Sequence, residues 1–165
     1  MDNGQGGDFI SLIGYDSDNL DSTFTVTSKI EEGVYYRFRY RAKNVNGWSD
    51  FSPITYIQAA TIPLRPPAPV FMTATSTSIV LHILPSTNTK GSVITNYNLF
   101  RNNGGNTNCN ISISTYSGMG DATITTSDGI VADGTIYQFK VNAQNSFGVS
   151  DLSDFVLAAM SDFPD

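Results

Sequence analysis

The chain has 165 residues, a formal net charge of −6, 40% hydrophobic residues and only 15% charged residues. The acidic balance argues against nucleic-acid binding, because phosphates require a basic surface, and the hydrophobic content argues against disorder. Low charge, with abundant Gly, Ser, Thr and Asn, is typical of short strands joined by many turns. We therefore expect an all-β protein.

The rarest residues limit the chemistry. Cys109 is the single cysteine, so no intrachain disulfide can form, and His82 is the single histidine. A thiol–imidazole pair or a structural zinc site would need more of these residues. We expect no catalytic residue, no metal and no cofactor, and hence no enzyme. Apolar runs are strand-sized and fall short of the roughly 18 residues of a membrane span, so we expect no membrane insertion within this segment.

The first polar cluster in chain order is Asp16-Ser-Asp18-Asn-Leu-Asp21. Its carboxylates are hard oxygen ligands of the kind that calcium prefers. The segment lacks the Gly and the terminal Glu of an EF-hand loop, and Asp and Asn favour turns in any case. We expect a turn without a metal.

A strand pattern follows at residues 36–43. Tyr36, Phe38, Tyr40 and Ala42 alternate with Arg37, Arg39, Arg41 and Lys43, which is the period of a sheet with one buried and one solvated face. The basic row could bind anions or could be an ordinary solvated face. A second copy of the pattern carries fewer charges, and this favours the solvated face.

The loop after this strand, Asn46-Gly47-Trp48-Ser49-Asp50, contains the only tryptophan. Tryptophan is a common anchor in interfaces, so Trp48 is a candidate interaction residue. It could equally fold down onto its own domain. No Arg-Gly-Asp sequence occurs anywhere in the chain.

Four prolines occur among the nine residues 61–69. Because proline fixes φ and favours polyproline II, this segment is expected to be a semi-rigid spacer between two domains. Asn110-Ile-Ser112, further along, is the only N-glycosylation sequon. We expect Asn110 to face solvent, since Ile111 and Ile113 have a core-facing pattern.

Residues 33–52 recur as residues 134–153, at an offset of 101 residues from Gly33 to Gly134. Tyr, Phe, Ala, Asn, Gly and the Ser-Asp-x-Ser sequence recur at corresponding positions. Such a period is the size of a whole domain.

The ordered motifs resemble fibronectin type III domains. Tyr-x-Phe-x-(Tyr/Val)-x-Ala-x-Asn followed by Gly and Ser-Asp-x-Ser resembles strand F, the F–G loop and the start of strand G. Residues 66–69, 78–83 and 94–99 resemble strands A, B and C. The resemblance implies a β-sandwich in which Tyr36 and Tyr137 form tyrosine corners. Ile83 stands where the family usually has Trp, which implies a core of smaller side chains there.

The repeat divides the chain unequally. Residues 63–165 contain strands A to G of a complete domain. At the same offset Met1 falls opposite Asn102, so residues 1–62 are expected to contain only strands C′, E, F and G. Half a sandwich cannot offset its ordering entropy. We therefore expect Met1 to be an internal residue of a longer array, or a neighbouring chain to complete the sandwich by strand addition.

These features predict a non-enzymatic structural or adhesive segment of an extracellular or cell-surface repeat protein, such as a filament. Its partners would be neighbouring repeats, identical chains, or other surface or matrix proteins. A ligand-binding receptor ectodomain and an accessory module of a secreted carbohydrate-active enzyme are the alternatives.

Overall fold

The computed structural model describes residues 1–105, 108–116, 120–131 and 134–161. The chain divides into two compact units, unit 1 (residues 1–60) and unit 2 (residues 61–165). Regular structure in the described residues consists of β-strands and one short 3₁₀ turn. The all-β prediction is confirmed.

Unit 1 contains two short antiparallel pairs. In one pair Tyr36 lies opposite Ile57, and in the other Lys43 lies opposite Trp48. The strands are β1 (Tyr35–Phe38), β2 (Lys43–Asn44), β3 (Gly47–Trp48) and β4 (Thr55–Gln58).

Residues 1–34, all of which are described, form no strand. The expected strands C′ and E of unit 1 are therefore not formed. The reason is visible in unit 2, where the strands at these positions each pair with a strand that has no counterpart in residues 1–60. Without a neighbour to supply the ladder hydrogen bonds, an extended segment gains little from strand geometry.

Unit 2 contains eight strands among its described residues. They are β5 (Val70–Ala74), β6 (Ser78–Ile83), β7 (Asn96–Arg101), β8 (Ile111–Tyr116), β9 (Gly120–Thr125), β10 (Tyr137–Asn145), β11 (Gly148–Val149) and β12 (Val156–Ala158). The 3₁₀ turn, Thr126–Asp128, follows β9.

These strands form two antiparallel sheets. One has the order β5-β6-β9, and the other has the order β11-β10-β7-β8 with β12 also paired to β10. Alternation decides which side chains lie between the sheets: β6, β7 and β10 each show a strict buried and half-buried pattern. The largest fully buried side chains include Phe139, Ile79, Leu81, Ile83, Leu99, Ile124 and Met160.

Ile83 is completely buried, as expected for a residue that replaces a larger one in the core. His82 lies on the opposite face of β6 and is partly exposed. Its Nδ1 is 2.6 Å from Asp121 Oδ1 on the adjacent β9. This is a cross-strand pair on a solvated face.

The proline-rich segment is attached to unit 2 through its own backbone. Thr61 N–H donates to the Lys90 carbonyl at 3.1 Å, and Leu64 N–H donates to the Asn88 carbonyl at 3.0 Å. The side-chain amide of Asn145 donates to the Thr61 carbonyl at 2.8 Å. Residues 61–64 are therefore held by unit 2, which corrects the expectation of a spacer that begins at Thr61.

Within the described residues, no helix has the length and apolarity needed to cross a membrane.

Candidate functional site

Both predicted tyrosine corners are present. Tyr36 and Tyr137 are 4% and 3% exposed. The Tyr36 hydroxyl accepts a hydrogen bond from the Glu31 N–H at 2.8 Å, and the Tyr137 hydroxyl accepts one from the Val131 N–H at 3.1 Å. Each ring ties the preceding turn to its strand, so these tyrosines have a structural role.

A second repeated bond involves Asp2 and Asn102. Asp2 Oδ1 accepts from the backbone N–H of Arg37 at 2.9 Å, and Asn102 Oδ1 accepts from that of Gln138 at 3.0 Å. The same oxygens also accept from the N–H groups of Gly4 and Gly104. Asp2, rather than Met1, is therefore the counterpart of Asn102. The loop that follows is one residue shorter in unit 1, so the constant offset missed this pair.

Asp2 is also charged. Its Oδ2 lies 2.8 Å from Arg37 Nε, and its side chain is 1% exposed. The backbone hydrogen bond from Arg37, together with the bonds from the Arg37 side chain and the Gly4 backbone, lowers the pKa of Asp2 to about 2 against the opposing effect of burial. The carboxylate of Asp2 is thus an ionised structural group.

The Ser-Asp-x-Ser sequences bind the backbone of the preceding strand. Ser150 Oγ accepts from the Ala143 N–H and Ser153 Oγ accepts from the Val141 N–H, both at 3.0 Å. In unit 1, Ser49 and Ser52 accept in the same way from Ala42 and Tyr40, both at 3.1 Å. In a regular pair of strands a backbone carbonyl would accept these hydrogen bonds, whereas here a serine hydroxyl accepts them. This role explains why both serines recur.

One cluster is not part of this repeated framework. Seven side chains of unit 1 form one continuous series of contacts in which cations and aromatic rings alternate. We call this series the ladder. In order, they are Arg37, Phe9, Arg39, Phe51, Arg41, Trp48 and Lys43.

The distances in the ladder are those of cation–π contacts. Arg39 Cζ lies 4.1 Å from the centroid of Phe9 and 3.9 Å from that of Phe51. Arg41 Cζ lies 4.7 Å from Phe51 and 4.3 Å from Trp48. At exposed sites each such contact contributes about 0.5–1 kcal/mol. The contacts in the ladder therefore favour one orientation of each of these side chains.

The local sequence explains most of the ladder. The Asn44–Gly47 turn, in which Gly47 has a φ of 126°, places Trp48 opposite Lys43. Ser49 and Ser52 bind the facing backbone, and Phe51 lies between them in the chain. Phe9 comes from a segment without strand structure, and no sequence pattern pointed to it.

The ladder shows where the ring of Trp48 lies, while its role as an interaction residue stays a prediction. The indole is 39% exposed and stacks against Arg41 and Lys43 of its own unit. Trp48 is folded onto its own domain, although part of its ring remains accessible. The cations of the basic row, which the sequence analysis interpreted as an ordinary solvated face, are in contact with aromatic rings in the structure.

The remaining sequence candidates lie apart from the ladder. Asn110 and Ser112 are exposed, as expected for a sequon. Cys109 is 7% exposed, and burial raises the pKa of its thiol, which makes it a poor nucleophile. Asp21 is held by Asn19 through two hydrogen bonds. Within the described residues, no three acidic, His or Cys side chains gather as metal ligands.

Unit 1 also has an uncovered sheet face. Tyr40 is 78% exposed and Ile57 is 52% exposed, whereas their counterparts in unit 2, Val141 and Ala158, are 0% and 7% exposed. The difference has a direct cause, because the β5-β6-β9 sheet covers this face in unit 2 and unit 1 has no such sheet.

Neither the family models nor the curated proteins contain a match to this sequence. Solved structures do match. A structure of titin domains A168–A170 has a TM-score of 0.61 at 20% identity and covers 88% of this chain. The sixth fibronectin type III domain of human fibronectin type III domain containing protein 3 has a TM-score of 0.51 at 16% identity and covers 64%.

The chain has a fibronectin type III-like β-sandwich fold. The fold implied by the sequence resemblance is therefore confirmed. The chain spans 51% of the titin A168–A170 structure. It spans 17% of a structure of the twitchin kinase region from C. elegans, with a TM-score of 0.53, 19% identity and 61% of this chain covered.

The depressed pKa of Asp2 predicts acid sensitivity in unit 1. Because the folded-state pKa of about 2 lies below the ordinary value of 3.8, the stabilisation is present above about pH 4 and is lost as the pH falls towards 2. Asp2→Asn keeps an oxygen acceptor, as Asn102 does naturally, and should remove this part of the pH dependence. Fluorescence of Trp48, the only tryptophan, measures the stability of unit 1 between pH 5 and pH 2.

In the same titration Asn102→Gln serves as the control in unit 2 and should leave the acid dependence of Trp48 fluorescence unchanged. Identical acid profiles for the wild type and Asp2→Asn would show that the Asp2 carboxylate does not stabilise unit 1.

Proposed function

We propose that this chain is a non-enzymatic structural or adhesive segment of an extended extracellular or cell-surface protein. The uncovered face of unit 1 carries the proposal. A sandwich is stable when both sheets are present, and unit 2 shows which strands cover the corresponding face. Unit 1 is completed by strands like β5, β6 and β9, which neighbouring repeats or identical chains would supply.

The magnitude of the uncovered surface supports this partner. Burying one large apolar side chain stabilises a protein by roughly 1.5–3 kcal/mol. Tyr40 and Ile57 are wet in unit 1, and the ring of Phe38 is only partly covered, while its counterpart Phe139 is fully buried. A sheet with alternating apolar residues would cover all three side chains at once, as the β5-β6-β9 sheet covers β10 in unit 2.

The repeated motifs support a structural role as well. Tyr36, Tyr137 and the paired serines bind their own backbone, so these side chains are already engaged in holding the fold. The similarity to segments of titin and twitchin is consistent with a modular structural role. The ordered ladder favours one further function, ligand binding by a surface ectodomain.

Exposed Asn110 is the proposed glycosylation site in such a setting. Material from a glycosylating secretory route should carry N-linked carbohydrate on Asn110, and Ser112→Ala should abolish it because the sequon is lost. Intact-mass measurement distinguishes the two forms. Unmodified Asn110 in native secreted protein would count against the proposed location.

Self-association tests the proposed completion. The isolated chain should form concentration-dependent oligomers in light scattering, or its residues 1–60 should be cleaved first in limited proteolysis. Tyr40→Ser with Ile57→Ser should shift the oligomers towards monomer, because it removes the apolar residues that a partner strand would cover.

Leu157→Ser is the matched control. Leu157 is 52% exposed, as Ile57 is, but it lies on the outward side of β12 in the complete unit. It should not change the association. A monodisperse monomer whose residues 1–60 resist protease would refute strand completion.

A further inference from the structure

The sheet of unit 1 has a backbone edge without a neighbour. The backbone groups of Tyr40 and Ala42 bond to the two serines that follow in the Ser-Asp-x-Ser sequence. Because successive residues of an extended chain point their backbone groups to opposite sides, those of Arg39 and Arg41 point away from these serines. No described residue forms a hydrogen bond with the backbone N–H or carbonyl of Arg39 or Arg41. We call the backbone of these two residues the free edge.

In unit 2 a strand fills this edge. Lys140 and Asn142 stand at the positions of the two free-edge residues, and they lie opposite Phe100 and Asn98 of β7. β7 in turn lies between β10 and β8. All residues of unit 1 are described, and none forms a strand at the position of β7. Unit 1 therefore lacks a strand within its own sheet as well as the sheet that would cover it.

Asp2 marks the place where a strand at this position would end. Its N–H donates to the Arg37 carbonyl at 3.2 Å, as the N–H of Asn102, the residue after β7, donates to the Gln138 carbonyl at 3.1 Å. The register of β7 on β10 is therefore kept at this point in unit 1. A strand that continued this register would pair alternate residues with the two residues of the free edge.

Met1 shows that this position has a neighbour on each side. Its carbonyl accepts from the Ile10 N–H at 2.8 Å, and its nitrogen donates to the Ile10 carbonyl at 3.0 Å. In unit 2 the last residue of β7, Arg101, lies opposite Ile111 of β8, so Met1 and Ile10 reproduce this pair. A strand that fills the free edge must therefore end or turn away where it meets Met1.

The side chains beside the free edge restrict the sequence of such a strand. In unit 2 Tyr97 of β7 lies opposite an alanine, and Leu99 lies opposite Val141. Unit 1 keeps the alanine as Ala42, so a large aromatic residue fits opposite it. Tyr40 is larger than Val141, so the residue opposite Tyr40 must be smaller than leucine to occupy a similar volume. The free edge therefore favours a segment with an aromatic residue and, two positions later, a small apolar residue.

Residues 23–27 of unit 1, Thr-Phe-Thr-Val-Thr, have this pattern. Phe24 and Val26 alternate with threonines, and all three residue types favour strands. The segment forms no strand in the structure, and no described residue forms a hydrogen bond with its backbone. The chain bends directly after it, at Ser28 and Lys29. The segment can therefore fill the edge and then turn away.

Both the segment and the free edge are accessible. Phe24 is 50% exposed, and Arg39, Tyr40 and Ala42 beside the edge are exposed as well. Unpaired sheet edges accept extended segments through their backbone groups. Within one copy the segment and the edge do not pair, which leaves each of them available to a second copy.

We propose that the free edge of one copy binds residues 23–27 of a second copy as an antiparallel strand. The strand runs towards Met1 of the first copy, with Phe24 opposite Ala42 and Val26 opposite Tyr40. Each copy carries one edge and one segment, so two copies can exchange strands symmetrically. This inference deepens the proposed completion of unit 1 and rests on it, because it takes the identical chain as the partner and names the edge and the segment that meet.

A peptide of residues 22–28 is the probe, and it is added to the whole chain. Bound as proposed, it should slow hydrogen exchange of the Arg39 and Arg41 amides by at least about tenfold, because exchange then requires the strand to leave. The Lys140 and Asn142 amides of unit 2 are the internal control. They should not change, since β7 already pairs with them.

The matched control peptide has the same composition, but Phe24 is exchanged with Thr25 and Val26 with Thr27. This shift places both apolar side chains on the opposite face of the strand. The control peptide should therefore not protect the free edge.

Variants of the chain test the same pairing between two copies. Phe24→Ser with Val26→Ser should shift the oligomers towards monomer in light scattering. Leu20→Ser is the control, because Leu20 is fully exposed but lies outside the segment, and it should associate as the wild type does. Trp48 fluorescence checks that each variant keeps the structure of unit 1.

Three results would overturn the proposal. They are no protection of the Arg39 and Arg41 amides by the peptide of residues 22–28, equal protection by the control peptide, or stronger protection by a peptide of residues 94–100. The last peptide carries the β7 sequence, so stronger protection by it would assign the free edge to a strand of that kind.

The two proposals fail by different results. Association that Tyr40→Ser with Ile57→Ser reduces, and that Phe24→Ser with Val26→Ser leaves unchanged, would refute strand exchange and support the completion of unit 1. A monodisperse, protease-resistant monomer would refute the completion, whereas protection of the free edge by the peptide is measured independently of association.

Discussion

The structure depends on one constraint: a sheet with an apolar face must be covered by a second sheet. Unit 2 meets it, with Phe139, Val141 and Ala143 fully buried against the β5-β6-β9 sheet. Unit 1 has the same strand and the same corner tyrosine, yet Tyr40 at the position of Val141 is 78% exposed. Local motifs therefore set the path of the chain, while burial across the sandwich supplies the stability.

A comparison of the two units distinguishes residues that have the same role in both units from residues that are confined to unit 1. Tyrosine, serine and the Asp2/Asn102 pair bind the same backbone groups in both units, so the fold accounts for them. The ladder is confined to unit 1, and its aromatic residues orient cations instead of filling a core. A comparison of two copies within one chain thus distinguishes the residues that the shared fold needs from those that only unit 1 has.

The sequence predicted the strands of unit 2, because period-two patterns and turn residues act locally, and the resemblance to fibronectin type III domains implied the burial of Ile83 and both tyrosine corners. Prediction from the sequence failed where a residue's structure depends on contacts with residues that are distant in the chain. Residues 1–34 have strand-like composition but lack strands to pair with, and Phe9 reaches the ladder from an irregular segment. Asp2 was misaligned because one loop differs by a single residue. The orientation of Trp48 could not be predicted, because the sequence is compatible with both orientations.

Hydrogen exchange of two backbone amides tests the central claim most directly. Tyr40 N–H and Val141 N–H donate to Ser52 Oγ and Ser153 Oγ at 3.1 and 3.0 Å, so the two bonds are chemically alike. Val141 also has the neighbouring strand β7 and the covering sheet, which unit 1 lacks. In the isolated chain, Val141 should exchange more slowly than Tyr40, on the order of a thousandfold, because its exchange requires opening of the sandwich. Equal protection of the two amides would contradict the account.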